Sequence, residues 1–136
     1  MLFVDTGVWY AALDRGDRSH DRATAILGAD QALLTSDYIV VETWRLVAHR
    51  LGFDVAERFW DGLRRGGIRR ESVLATDLES AWAIGRRYED QHFSMLDRTS
   101  FAVLERLGVR RVAAFDDDFA VYRYGRDASL AFELVR

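Results

Sequence analysis

The chain has 136 residues, with a hydrophobic fraction of 49% and a formal net charge of −3. That length suits one compact domain and leaves little room for a second. Cysteine is absent, which excludes disulfide frameworks, thiolate nucleophiles and thiolate metal sites. Every one of the 19 basic residues is arginine, so chemistry that needs a catalytic lysine is excluded too. Arginine recognises phosphate in bidentate fashion and stacks on bases, although a coding bias toward arginine would produce the same count. The acidic balance argues against a strongly basic nucleic-acid surface. The opening MLFVDTGVWY carries no basic segment ahead of an apolar run, and no apolar stretch approaches the ~20 residues that cross a bilayer. The expectation is a soluble, cytoplasmic protein.

Short apolar runs alternate with longer amphipathic ones. Leu2-Phe3-Val4 reads as a buried strand ending at Asp5, followed by helices over Thr6–Leu13 and Ser19–Leu27, the second stopped by Gly28. Ala32–Thr35 is the next predicted strand. Ser36 or Asp37 can cap a helix that runs to Leu51 and stops at Gly52. Phe53, Ala56, Phe59, Trp60 and Leu63 recur at helical spacing and predict a helix over 53–65, ended by Gly66-Gly67. Ser72–Ala75 is a predicted strand. Asp77 is a predicted N-cap for a helix bearing Ala81, Ile84 and Tyr88. A helix over Leu96–Leu107 stops at Gly108. Val112–Phe115, a short helix over Asp117–Tyr122 and a strand over Leu130–Leu134 complete the chain. Strands and helices in this alternation imply a parallel α/β sheet covered on both faces, in a single domain spanning 1–136.

The acidic residues carry the chemistry. Asp5 and Asp116 each follow an apolar strand, and ligands of open parallel sheets bind beyond the carboxyl ends of strands, where strand order reverses. Each aspartate could equally cap the helix that follows. Glu42 has Tyr38, Ile39, Arg45 and Leu46 at helical neighbour positions. A carboxylate on so apolar a face is costly without a partner; the plain structural explanation is a local ion pair with Arg45. Asp97 opens a helix, where an acid complements the dipole, and is flanked by Phe93 and Phe101. Carboxylates gathered in a cleft repel one another and invite a hard divalent cation such as Mg2+ or Mn2+. Neither His20, His49 nor His92 has a metal-ligand spacing. The arginine run Arg64, Arg65, Arg69 and Arg70 reads as solvated charge or as a guide for RNA. Trp9, Trp44, Phe59 and Trp60 offer a groove for a partner helix, with Trp9 and Trp44 alternatively in the core. Phe59 and Trp60, being adjacent, cannot both point inward.

These pieces together resemble the PIN-domain ribonucleases, and closely the toxin subunits of VapBC-type toxin–antitoxin pairs. The matching segments are Phe3-Val4-Asp5-Thr6-Gly7-Val8-Trp9, Thr35-Ser36-Asp37-Tyr38 leading to Glu42, Asp97-Arg98-Thr99-Ser100-Phe101-Ala102-Val103-Leu104, and Ala114-Phe115-Asp116 with Phe119 after it. The resemblance implies a three-layer α/β/α fold with a central parallel sheet. It also implies hydrolysis of RNA dependent on magnesium or manganese. Asp5 and Asp97 would be the principal metal ligands, with Glu42 and Asp116 completing the site. Thr6 and Ser100 would support it, and Asp118 competes with Asp116 for the fourth acid. A cognate antitoxin is the implied partner, in a homodimer or a toxin–antitoxin hetero-oligomer. An aspartate-nucleophile phosphatase or a receiver-like domain would also place an acid after the first strand; Gly7 and the lack of lysine count against both. A PIN-like domain that binds RNA without cutting it is the further alternative.

Overall fold

The computed structural model describes residues 1–136. Its centre is a five-stranded, all-parallel sheet in the order β3-β2-β1-β4-β5. The elements follow in chain order: β1 (Leu2–Val4), α1 (Thr6–Leu13), α2 (His20–Gly28), β2 (Leu33–Ser36), α3 (Asp37–Arg50), α4 (Phe53–Arg65), β3 (Arg69–Glu71), α5 (Ala75–Arg87), α6 (Met95–Leu107), β4 (Arg111–Ala113), α7 (Asp118–Val121) and β5 (Glu133–Val135). From β1 the chain steps outward to β2 and β3, then returns past β1 to β4 and β5. Parallel crossovers are right-handed, so this reversal puts α1–α4 on one face of the sheet and α5–α7 on the other. The result is the expected three-layer α/β/α fold. No helix is long and apolar enough to cross a membrane.

The strands are short but wholly buried at the centre. Leu2, Phe3, Val4, Val112, Ala113 and Ala114 are inaccessible, because helices cover both of their faces. Beneath α6 an aromatic cluster forms the densest packing: the Phe101 and Tyr122 rings stack 4.1 Å apart, and Phe93 and Phe119 meet Phe101 edge-on at 5.2 and 5.1 Å. Such pairs add to area burial and hold α6 in place. Gly108 ends α6 in the left-handed region, φ 67°, as its position in the sequence predicts.

Two strands depart from the sequence expectation. β3 is Arg69–Glu71, not Ser72–Ala75, and β5 is Glu133–Val135, not Leu130–Leu134. Both lie at the sheet's edges, where one side faces solvent and charged residues are tolerated. An apolar run therefore points to the wrong segment there. Asp77 is likewise not the N-cap of α5. Leu74 holds that position, and Asp77 sits three residues in, accepting from the Leu74 amide at 2.8 Å. Its buried carboxylate, 3% exposed, takes two hydrogen bonds at 2.9 Å from the Arg106 fork, through Nε to Oδ1 and Nη2 to Oδ2. Arg106 also donates to Glu71 at 3.1 Å and to the Ser72 carbonyl at 3.1 Å. One guanidinium thus joins α6, α5 and the end of β3. Burial works against the Asp77 charge, but Arg106 and the Leu74 amide outweigh it and hold the carboxyl below its ordinary range.

Candidate metal centre

Strand order reverses between β1 and β4, the place where a doubly wound sheet opens a crevice. Asp5 leaves β1 there, its backbone amide still bonded to the Ala113 carbonyl at 3.0 Å. The segment after β4 brings Asp116 and Asp118 to the same edge. Asp116 Oδ1 accepts from the Asp118 amide at 3.2 Å, a tight turn that sets the two carboxylates side by side. α6 supplies Asp97 from its first turn. Ser94 Oγ accepts from the Asp97 amide at 3.0 Å, and the Asp97 carboxylate accepts from the Ser94 amide at 3.1 Å. This capping box fixes the helix start and the acid together.

The carboxylate oxygens of Asp97, Asp116 and Asp118 come within 4.8 Å of one another. Asp5 is outside that group, 7% exposed, and near enough for the charges of Asp116 and Asp97 to act on it. Burial, then the charges of Asp116 and Asp97, raise its pKa from 3.8 to about 7, while the amides of Thr6 and Gly7 pull the other way. Burial raises Asp97 to about 6, opposed by the Ser94 hydrogen bond and assisted by the Asp118 charge. Asp116 is raised as well, by burial and then by its acidic neighbours Asp118 and Asp117, after the opposing hydrogen bond from the Asp118 amide. Burial and mutual repulsion that raise the proton affinity of Asp5, Asp97 and Asp116 mark a site short of positive charge. Hard oxygen donors at this spacing suit Mg2+ or Mn2+, which accept a few carboxylates and complete their shells with water. The donor set therefore fits such a cation.

The other sequence candidates are placed differently. Glu42 is not among the clustered acids. Its side chain is 47% exposed and faces Arg45 across 4.0 Å, the local pair that its spacing offered. Of its helical neighbours Ile39 is fully buried, whereas Tyr38 is 39% exposed, so Glu42 stands at the border between the core and the surface of α3. The next residue, Thr43, does reach toward the first acid: its hydroxyl donates to that of Thr6 at 3.4 Å. Ser100 Oγ, one turn along α6 from Asp97, is buried without a hydrogen-bond partner. Asp117 pairs outward with Arg136 at 2.8 Å. His20 bonds the Ala11 carbonyl at 2.8 Å and serves the α1–α2 turn. Both Asp116 and Asp118 belong to the cluster. Their shared presence was hidden in the sequence by the run of three aspartates, whose directions only the turn decides.

Away from the acids, Trp9 is in the core against Phe59, ring centroids 5.9 Å apart. Trp60 turns outward, as adjacency to Phe59 requires. With Trp44, Val40 and Val41 it lines a groove of about 710 Å³ between α3 and α4, bordered by Arg45 and Arg70.

The family model described as the PIN domain matches residues 2–123. The 23S rRNA-specific endonuclease VapC20 of Mycobacterium tuberculosis is 34% identical over 121 residues, 88% of this chain and 92% of the relative. Ribonuclease VapC26 of the same organism is 26% identical over 116 residues, covering 85% and 86%. The crystal structure of VapC20, described as a sarcin-ricin loop cleaving toxin, superposes with a TM-score of 0.83, 32% identity and coverage of 88% and 93%. FitAcB from Neisseria gonorrhoeae shares the fold at a TM-score of 0.64 and 20% identity, covering 87% and 89%. With the parallel sheet, the acids at its switch point and these likenesses, the chain belongs to the PIN-domain family.

Proposed function

We propose that the chain, acting throughout its length as one PIN domain, is a metal-dependent endoribonuclease and the toxin half of a toxin–antitoxin pair. The convergence of Asp97, Asp116 and Asp118 within 4.8 Å, close to buried Asp5, carries this reading. Mg2+ or Mn2+ would be held by Asp97, Asp116 and Asp118, with Asp5 closing the floor. When bound, such an ion lowers the pKa of its water and offsets charge on the phosphoryl oxygens. The chain's own part is to hold the acids rigidly. The α6 capping box orients Asp97, the Asp116–Asp118 turn orients the pair, and β1 fixes Asp5. Thr6, with Thr43 behind its hydroxyl, borders the first acid, and Glu42, on α3, stands outside the cluster. Ribosomal RNA is the substrate class favoured by the 34% identity to an endonuclease specific for 23S rRNA. The test is cleavage of single-stranded RNA by the purified protein. Cutting should appear with Mn2+ or Mg2+, stop with EDTA and vanish in Asp97→Asn. Binding without cutting in the presence of either ion would favour the non-cleaving alternative.

The groove between α3 and α4 is the proposed seat of the antitoxin. Half-buried Trp44 and Trp60 offer aromatic anchors of the type that dominates interfaces, and its charged rim suits a segment of mixed charge. Trp60→Ala should weaken binding of a cognate antitoxin by about ten- to a hundredfold, read by calorimetry, with RNA cleavage by the free toxin unchanged. Unaltered antitoxin affinity would move the docking site elsewhere.

A further inference from the structure

Asp116, Asp117 and Asp118 follow β4 in succession, and the first and third join Asp97 in the acidic cluster while the second does not. Asp117 faces solvent, 81% exposed, and is held there by Arg136. A single nitrogen of that guanidinium, Nη1, donates to Asp117 Oδ1 at 2.8 Å and to the Asp116 carbonyl at 3.4 Å. Arg136 comes directly after β5, whose Val135 is in register with Ala113 of β4. It therefore leaves the sheet at the carboxyl edge, where the turn begins. The other hydrogen bonds to this turn come from the turn itself and from α7 and its cap: the Asp118 amide to Asp116 Oδ1, the Ala120 and Val121 amides to the Asp117 carbonyl, and the Tyr122 amide to the Asp118 carbonyl. Phe119, edge-on to Phe101, anchors α7 in the core. Arg136 alone bonds the segment ahead of α7 to another strand.

Neither stability nor charge accounts for this contact. Exposed ion pairs add little to the fold. A positive charge beside the acids repels an incoming cation, so Coulomb attraction of a metal would favour its absence. What the guanidinium supplies is direction.

We propose, on the reading of these acids as a metal centre, that Arg136 is a positioning residue for it. By holding Asp117 outward and the Asp116 carbonyl in place, it keeps the Asp116 and Asp118 carboxylates turned toward Asp97. Partners behind metal ligands commonly orient them, and their loss costs affinity. Here the partner acts through a neighbouring side chain and the main chain, which puts the expected cost at the lower end of that effect. Geometry and charge predict opposite signs. If Arg136 acts only as a charge, removing it tightens cation binding; if it orients the acids, removing it weakens binding.

The experiment is calorimetric titration of the full chain with MnCl2, for wild type, Arg136→Met, Arg136→Lys, Asp117→Ala and the double variant Arg136→Met/Asp117→Ala. Each of Arg136→Met and Asp117→Ala should raise the Kd for Mn2+ about tenfold. The double variant should lose no more than either single one, since both break the same contact. Arg136→Lys, which keeps a donor and the charge, should recover most of the loss. Melting midpoints in EDTA should stay at the wild-type value. Unchanged or tighter Mn2+ binding by Arg136→Met overturns the proposal. So does a raised KM for RNA with Mn2+ affinity unaltered, which would make Arg136 a substrate contact, or a lowered midpoint in EDTA, which would make it a brace of the fold. Weakened Mn2+ binding by Arg136→Met alongside a wild type that cuts no RNA keeps the positioning role and removes the nuclease reading. A wild type that takes up no Mn2+ removes the metal centre and this role with it.

Discussion

Replacing Asp5 by Asn should abolish RNA cleavage, by at least about a hundredfold, which is the upper end of what changes merely behind a metal ligand cost, and should at the same time stabilise the metal-free protein at neutral pH. The second effect follows from the direction in which the pKa moves. Asp5 titrates near 7 in the folded chain instead of 3.8, so between those values the folded state holds a proton that the unfolded state has released. The corresponding stability is fully present below about pH 4 and is lost as pH rises through 7. A tenfold difference in proton affinity between the two states is worth about 1.4 kcal/mol, so Asp5 costs the metal-free protein about 2–4 kcal/mol by neutrality. Asn keeps the shape without the charge. The melting difference between the variant and the wild type should widen from pH 4 to pH 7.5. Mn2+ should close it by raising the wild-type midpoint, since a ligand of the folded state stabilises by mass action. Thermal melts with and without EDTA, alongside RNA cleavage, measure both effects. Equal pH dependence of the two proteins, or cleavage by the variant, would refute the assignment of Asp5.

The second large effect is structural. Arg106→Met should destabilise the fold by about 3–5 kcal/mol, the usual result of stranding a buried charge. Asp77 would lose three of its hydrogen bonds, and Glu71 and the Ser72 carbonyl one each. Adding Asp77→Asn to that variant should restore a substantial part of the loss, because it removes the charge that Arg106 had neutralised. Urea denaturation of the two single variants and the double variant gives the coupling. Strict additivity would mean that the three elements are held by packing and not by this guanidinium.

The sequence made the architecture legible where burial is two-sided. Leu2-Phe3-Val4 and Val112-Ala113 are apolar because helices cover both faces, and their acids fall at the strand ends where a switch point must open. At the edges the rule weakens. Arg69-Arg70-Glu71 forms a strand whose sequence looks like a loop, and apolar Val73 and Leu74 beside it lead into a helix instead. Within the site, Asp97 and Asp116, read from position and context, do converge, while Asp5 and Glu42 lie outside their group. Asp118 needed the turn after β4, which sets it beside Asp116.

β1 precedes the other four strands of the sheet in the chain and is the middle strand of the finished sheet, with Leu2 paired to Arg111. Until β4 has left the ribosome, one edge of that strand has nothing to bond, and such distant pairing is slow to form. The aspartates at 97, 116 and 118 emerge late for the same reason. A nascent chain that has not yet released β4 and the turn after it therefore cannot assemble the acidic pocket.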